Sequence, residues 1–122
     1  IKDKVFFLGE QKNLLEFYNG IDLLLLTSHS ESFPNVIAEA MLCSTPVLSS
    51  NAGCSKKIIA NTGFVLKKND PISINNGLNK ALNVILKNKK KWRSLKIKSR
   101  IQIVKNFSIN LTTNNYLKNW IH

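Results

Sequence analysis

The run Ile21–Thr27, IDLLLLT, constrains this chain more than any other stretch, because its apolar residues are continuous instead of alternating. A half-buried strand alternates apolar and polar side chains, and a surface helix repeats its apolar positions every three to four residues. A short unbroken apolar run fits a strand covered on both faces, and such strands belong to parallel sheets with helices above and below. Its apolar stretch Leu23–Leu26 is far below the ~20 residues needed to cross a bilayer. Gly20 precedes the run and the polar Ser28-His29-Ser30-Glu31-Ser32 follows it.

The flanking segments supply what a parallel sheet requires. Val5–Leu8 reads as a β-rich run closed by Gly9. Residues 12–19 place Leu14, Leu15 and Tyr18 on one helical face, ending at Gly20. Pro34–Cys43 carries Val36, Ile37, Ala40 and Met41 at helical spacing, with Pro34 suited to a first turn. Pro46–Ser49 and Gly63–Leu66 read as further short strands, with a small-residue turn at Asn51–Ser55 and a short helix at Lys56–Ala60 between them. Asp70-Pro71 is an N-cap followed by proline at the first helical position, and Ile74, Leu78, Ala81, Leu82 and Ile85 form one amphipathic face. Residues 89–106 make a second helix, with Trp92, Leu95, Ile101 and Val104 as its expected buried residues. Ser108 caps a last helix holding Leu111, Tyr116, Leu117 and Trp120. The expected fold class is α/β: a Rossmann-like parallel sheet with helices on both faces, ending in a helical segment. There is no internal repeat, low-complexity tract or linker, so 122 residues are one domain at most.

Charge is distributed unevenly. Residues 1–61 hold five Lys against six acids, whereas residues 62–122 hold eleven Lys and two Arg against Asp70 alone. A formal net charge of +11 invites a nucleic-acid or anionic-membrane reading. Sixteen Asn and thirteen Ile accompany the sixteen Lys, the pattern of A/T-rich codon usage, which gives much of the excess an ordinary origin. The two cysteines, Cys43 and Cys54, exclude a disulfide scaffold and fit a reduced, intracellular setting. No signal-peptide pattern opens the chain, and Ile1 is not a start methionine, so the expectation is a piece of a longer protein.

Ligands of open parallel sheets bind outside the carboxyl ends of the strands. The loop Ser28–Asn35 leaves such an end and runs into a helix start, where free N–H groups and the helix dipole favour an anion such as phosphate. Glu31 stands before that helix and Glu39 in its second turn. A carboxylate accepts two hydrogen bonds from a vicinal diol, as on a sugar or ribose. The plainer reading makes Glu31 a helix-start acid stabilising by ~0.3–1 kcal/mol and Glu39 an exposed surface acid.

The stretch Ile21–Ser50, IDLLLLTSHSESFPNVIAEAMLCSTPVLSS, resembles the donor-binding core of the family 4 glycosyltransferases (group 1). That family shows an apolar strand, then E-G-F-P/G-x-V-x-x-E-A-M, a small-residue step and P-V-I. Glu31 and Glu39 stand at its two acids, with Phe33, Pro34, Ala40 and Met41 in matching places. Val5-Phe6-Phe7-Leu8-Gly9 resembles its V-x-F-L-G strand and Asp22 the acid before its core strand. Gly63–Leu66 with Asp70-Pro71 resembles G-x-L-V-x-x-x-D, and Phe107-Ser108 and Tyr116 fit its closing positions. The resemblance implies the C-terminal half of a two-domain GT-B enzyme. Residues 1–122 would be a partial C-terminal nucleotide-sugar-binding domain, with the N-terminal acceptor domain, the opening strand and the upstream Arg and Lys outside the chain.

By the same resemblance, the function is sugar transfer from a nucleotide-sugar to a glycan or lipid-linked acceptor. Transfer would be retaining and metal-independent, in bacterial capsule, lipopolysaccharide or exopolysaccharide synthesis. No cofactor is implied; a UDP- or GDP-sugar is the donor substrate. Asp3, Asp22 and Asp70 are isolated, so no D-x-D metal motif is present. Glu31 would be the catalytic-site acid at the donor sugar and Glu39 would hold the ribose. Ser32, Phe33, Pro34, Asn35 and Val36 would complete the donor site, with backbone N–H groups around Phe33, Asn35 and Val36 on sugar or diphosphate. The chain by itself is expected to bind donor weakly and not to catalyse. Ala52-Gly53-Cys54-Ser55-Lys56-Lys57 departs from the family's G-G-x-x-E, with Cys54 in place of Gly or Asp and lysine in place of an acid, which bears on sugar specificity or activity.

Other residues have plainer readings. His29 is expected to face solvent, Cys43 to be a small buried hydrophobe and Cys54 a turn residue. Trp92, Tyr116 and Trp120 sit at helical spacing, which argues for packing, or docking of the last helix on the other domain, over base stacking. The alternative function is a non-catalytic basic α/β module binding nucleic acid or an anionic membrane through Lys87–Arg100. The basic residues there spread around the helix and no nucleic-acid-binding signature accompanies them, so no nucleic acid is expected. A cytoplasmic location is expected, with peripheral attachment at the inner face of the cytoplasmic membrane.

Overall fold

The computed structural model describes residues 2–120. A 3-10 turn at Lys2–Lys4 precedes α1 (Leu14–Gly20), β1 (Leu24–Leu26), α2 (Asn35–Leu42), β2 (Val47–Ser49), α3 (Ser55–Ile59), β3 (Phe64–Val65), α4 (Pro71–Lys87), α5 (Lys89–Asn106) and α6 (Ile109–Trp120). Among the described residues the sheet has the order β1-β2-β3, and both pairings are parallel. Each crossover therefore contains a helix, as parallel pairing demands.

The register decides which side chain meets which layer. Leu24 pairs with Val47, Leu26 with Ser49 and Ser49 with Val65, so these residues share one face. That face packs on Ile37, Ala40, Met41, Ile58 and Ile59 of α2 and α3, with Tyr18 and Ile103 closing the edges. Leu25, Leu48 and Phe64 share the other face. There Gly77 of α4 lies so close that a Cβ on it would stand 2.6 Å from Leu66 Cδ2 and 3.1 Å from Leu48 Cδ1. Glycine at this position lets α4 approach the sheet. Trp92, Leu95 and Val84 form a second cluster with Leu23, Phe64 and Ile85. α5 then crosses to α2, where the fully buried Ser99 turns its hydroxyl onto the Lys96 carbonyl at 2.8 Å and leaves room for close helix approach.

The helix ends follow local chemistry. Asp70 caps α4 by accepting the Ser73 N–H at 2.7 Å, with Pro71 in the first turn. That bond holds the Asp70 carboxyl below the usual carboxylate range. Asn13 and Asn88 cap α1 and α5 in the same way. α2 ends in a left-handed residue, Ser44, with φ of 61°. Thr45 N–H donates to the Ala40 carbonyl at 2.9 Å and Ser44 N–H to the Met41 carbonyl at 3.0 Å, the Schellman pair of bonds. The Arg100 guanidinium donates to the Leu42 carbonyl, a cation at the negative end of the helix.

Four expectations are corrected. The run Ile21–Thr27 is not covered on both faces: β1 is an edge strand of the described sheet, with Leu24 and Leu26 half-buried and Leu25 exposed, and the strand buried on both faces is β2. Val5–Leu8 forms no strand: the four side chains are exposed, Phe7 to 98%, and no ladder reaches them. A strand exists by pairing, and β propensity without a partner does not make one. On α5 the buried residues are Trp92, Leu95, Ser99 and Ile103, while Ile101 and Val104 face outward. Helix α6 forms as expected, yet Leu111, Tyr116, Leu117 and Trp120 are all exposed.

Ser44 carries the left-handed backbone penalty that glycine escapes. Ser44→Gly should stabilise the fold by roughly 0.5–1 kcal/mol, the penalty relieved less glycine's extra chain entropy. Urea denaturation of the two proteins side by side measures it; a loss of stability would show that Ser44 is unstrained.

Candidate functional site

The loops after the three strands meet at one end of the sheet and are fastened to each other. The Ser50 hydroxyl donates to the Ser28 carbonyl at 2.6 Å, joining the β2 loop to the β1 loop. The Asn69 amide donates to the Thr27 carbonyl at 2.9 Å, joining the β3 loop to the same segment. Cys54 N–H donates to the Ser32 carbonyl at 3.1 Å. Between the loops lies a cavity of about 220 Å³ whose lining includes Ser28, His29, Asn51, Lys67, Lys68 and Asn69. His29 is exposed at its rim.

Glu31 is half-buried in the β1–α2 loop, at the carboxyl end of the sheet. Its backbone lies against Gly53, which has φ of 53°. A Cβ on Gly53 would overlap the Glu31 carbonyl and stand 2.6 Å from the Ser32 carbonyl oxygen. Two loops can touch at this distance only when one has no side chain. From sequence Gly53 reads only as part of the small-residue turn Asn51–Ser55, and nothing local names the Glu31 backbone as what it must accommodate.

Pro34 occupies the N-cap of α2 instead of the first turn, with its carbonyl accepting the Ile37 N–H at 3.1 Å. No side chain caps this helix start. Its first-turn N–H groups therefore have no side-chain acceptor, in contrast to α1, α4 and α5. Ser32, Asn35 and Val36 are exposed around it, and Pro34 is buried. Phe33 is 42% exposed and packs its ring on Phe107 at 5.8 Å, which anchors the loop to the end of α5.

Glu39 lies one turn further along α2 and faces α1. Its carboxylate accepts a hydrogen bond from the Tyr18 hydroxyl at 3.0 Å, beside a groove of about 250 Å³ formed with Leu14, Leu15, Leu42 and Cys43. Tyr18 is buried, and its main-chain carbonyl accepts the Thr45 hydroxyl at 2.6 Å, so the middle of α2 and the turn after it both help to fix it. Burial, with the Glu39 carboxylate as the next cause, pushes the Tyr18 phenol up to about 12. Sequence reasoning did not find this partner, because twenty-one residues separate the pair and no local pattern joins them. Glu31 and Glu39 thus belong to one loop-helix unit, but neither carboxylate lines the strand-end cavity, and Glu39 alone of the two lines the α1–α2 groove. Cys43 is half-buried, as a small hydrophobe can be, and Cys54 is exposed at the start of α3.

The family described as "Glycosyl transferases group 1" matches residues 1–100. The N-acetyl-alpha-D-glucosaminyl L-malate synthase of Bacillus anthracis is 37% identical over 76 residues, 61% of this chain and 20% of that protein. A capsular polysaccharide biosynthesis glycosyltransferase of Staphylococcus aureus is 31% identical over 71 residues, 57% of this chain and 19% of that one. The sucrose-phosphate synthase of Thermosynechococcus elongatus shares the fold, with a TM-score of 0.76 at 24% identity over 98% of this chain and 31% of that structure. The chain spans about a fifth of the length of the curated relatives it matches.

Two outcomes follow from the site's construction. Gly53→Ala should cost about 2–4 kcal/mol, since it adds left-handed strain to a backbone collision; chemical denaturation reads this, and a neutral result would mean the loops separate freely. The raised Tyr18 phenol makes a second. Below pH 10 both folded and unfolded states hold the proton. Between pH 10 and about 12 only the unfolded state releases it, so this group's contribution declines as pH rises. Stability of the parent relative to Tyr18→Phe should therefore fall from about pH 10 towards about 12; parallel profiles would place the phenol in water.

Proposed function

We propose a donor-binding role for this chain, which belongs to the group 1 glycosyl transferases. The chain forms part of the C-terminal nucleotide-sugar domain, and the acceptor-binding N-terminal domain lies in the rest of the protein. The observation that carries this reading is the β1–α2 unit. A carboxylate, Glu31, stands at the carboxyl end of the sheet, a Gly53 contact fixes its backbone, and an uncapped helix start follows directly.

In this reading Glu31 accepts hydrogen bonds from the sugar hydroxyls next to the reacting carbon. The N–H groups of the first α2 turn, around Asn35 and Val36, face the diphosphate, where negative charge grows as the leaving group departs. Preorganised donors of that kind stabilise such charge without reorganising. Ser32, Phe33 and Pro34 hold this turn in place, with Phe33 braced on Phe107. Glu39 takes the ribose diol, exchanging part of its bond to Tyr18 for the ligand. Cations for the diphosphate come from upstream sequence, and transfer is retaining and metal-independent, as the resemblance implies, with a UDP- or GDP-sugar as donor.

The acceptor is a glycan or a lipid-linked saccharide in surface polysaccharide synthesis; the name of the Staphylococcus aureus relative supports that placement. The exposed face of α6 is the surface we assign to docking on the acceptor domain. The enzyme would work in the cytoplasm, peripheral to the membrane. No described helix is long and apolar enough to span one.

A nucleotide-sugar panel on the full-length protein identifies the donor. With that donor, Glu31→Gln should lower kcat by about 10²-fold or more, the scale of one lost transition-state group. Glu39→Gln should mainly raise the donor KM, by roughly 10–100-fold, as expected for a lost hydrogen bond to a charged group. Unchanged donor affinity and turnover in both variants would sink the assignment.

A further inference from the structure

Helix α5 is apolar on two opposite sides. Trp92, Leu95, Ser99 and Ile103 pack inward. Ile97, Ile101 and Val104 recur at spacings of four and three and remain 62%, 44% and 50% exposed. At 3.6 residues per turn the two stripes lie roughly 160° apart, so the second one points straight away from the core. Among the described residues nothing covers these three β-branched side chains. Their surroundings limit what can cover them. On the same projection Lys90 and Arg93 continue the stripe towards the helix start, and Lys98 and Lys105 border it. All four are exposed. Arg100 is excluded from this set because it is bonded to Leu42. No acidic residue occurs anywhere after Asp70.

We propose that this outer face of α5 docks the protein on an anionic lipid surface, with Ile97, Ile101 and Val104 entering the headgroup boundary and Lys90, Arg93, Lys98 and Lys105 meeting lipid phosphates. The combination decides the occupant. An apolar stripe bordered by cations matches an interface that is apolar beneath and anionic above. A nucleic-acid backbone offers the anions but nothing apolar for three aliphatic side chains. The face is separate from the β1–α2 site, so the proposal stands apart from the donor reading.

The test is flotation of the full-length protein with vesicles of phosphatidylcholine alone or with about one-third phosphatidylglycerol, at about 0.15 M salt. Recovery with the anionic vesicles and not the neutral ones is expected. Ile97→Ser/Ile101→Ser/Val104→Ser keeps every charge and should lower partitioning at least ~10-fold. Lys90→Glu/Arg93→Glu/Lys98→Glu keeps the stripe and should abolish it. Because all six positions are exposed, thermal unfolding of both variants should match the parent; if one fails to fold, the other decides. Flotation equal to the parent's in the folded variants, equal binding to neutral vesicles, no binding to either, or retention on nucleic acid without vesicle binding would each overturn the proposal. Turnover on a soluble acceptor, which the donor site governs, should be the same in parent and variants.

Discussion

Val47, Leu48 and Ser49 are almost entirely withdrawn from water, and the rest of the domain is arranged around that fact. A strand buried on both faces must be covered twice. Val47 looks to α2 and α3, and Leu48 to α4 through the gap that Gly77 leaves. Its main chain must also be paired along both edges, which β1 and β3 provide. Once those partners are parallel, every connection has to cross over, and the loops leaving the carboxyl ends gather at one end. The candidate site is thus a by-product of satisfying one three-residue strand.

The gathering is held by hydrogen bonds to main-chain carbonyls more than by side-chain packing. Ser50 on Ser28, Asn69 on Thr27 and Cys54 on Ser32 all end on carbonyl oxygens. Such fastening is indifferent to the identity of the residue whose carbonyl is used. The exposed side chains of the loops are therefore free to vary while their backbones keep their spacing. The donating side chains of Ser50 and Asn69 are exceptions, and so is Gly53, because there the absence of a side chain is itself the contact. Cys54, whose main-chain N–H does the fastening, can therefore carry its thiol outward without the loop losing its form.

What could be read from the chain tracks how local each cause is. The unbroken run at Ile21–Thr27 and the Asp70-Pro71 pair act within a few residues, and a parallel strand, its crossover helices and the α4 cap follow from them, although the burial on both faces that the run suggests belongs to β2. Glu31 and Glu39 were visible as acids at a strand end and on the next helix. The partner of Glu39 was not, since Tyr18 reaches it only through the packing of α1 on α2. The same limit explains α5. Residues 92, 95, 97, 99, 101, 103 and 104 contain two interleaved stripes, and a periodicity argument cannot tell which one faces the core. Ser99, polar by type, turns out to be fully buried because a helix crossing needs a small residue. Ser44 hides a left-handed turn that glycine would have announced.

The unpaired segment Val5–Leu8 has a consequence beyond the fold. Within the described residues β1 pairs with β2 on one side only, so its other edge offers free main-chain groups. Val-Phe-Phe-Leu, uncharged, free of proline and turned to solvent, is the kind of sequence that fills such an edge. A solution of this chain should then be governed by colloidal behaviour, with its strong positive charge keeping molecules apart at low ionic strength and added salt removing that protection.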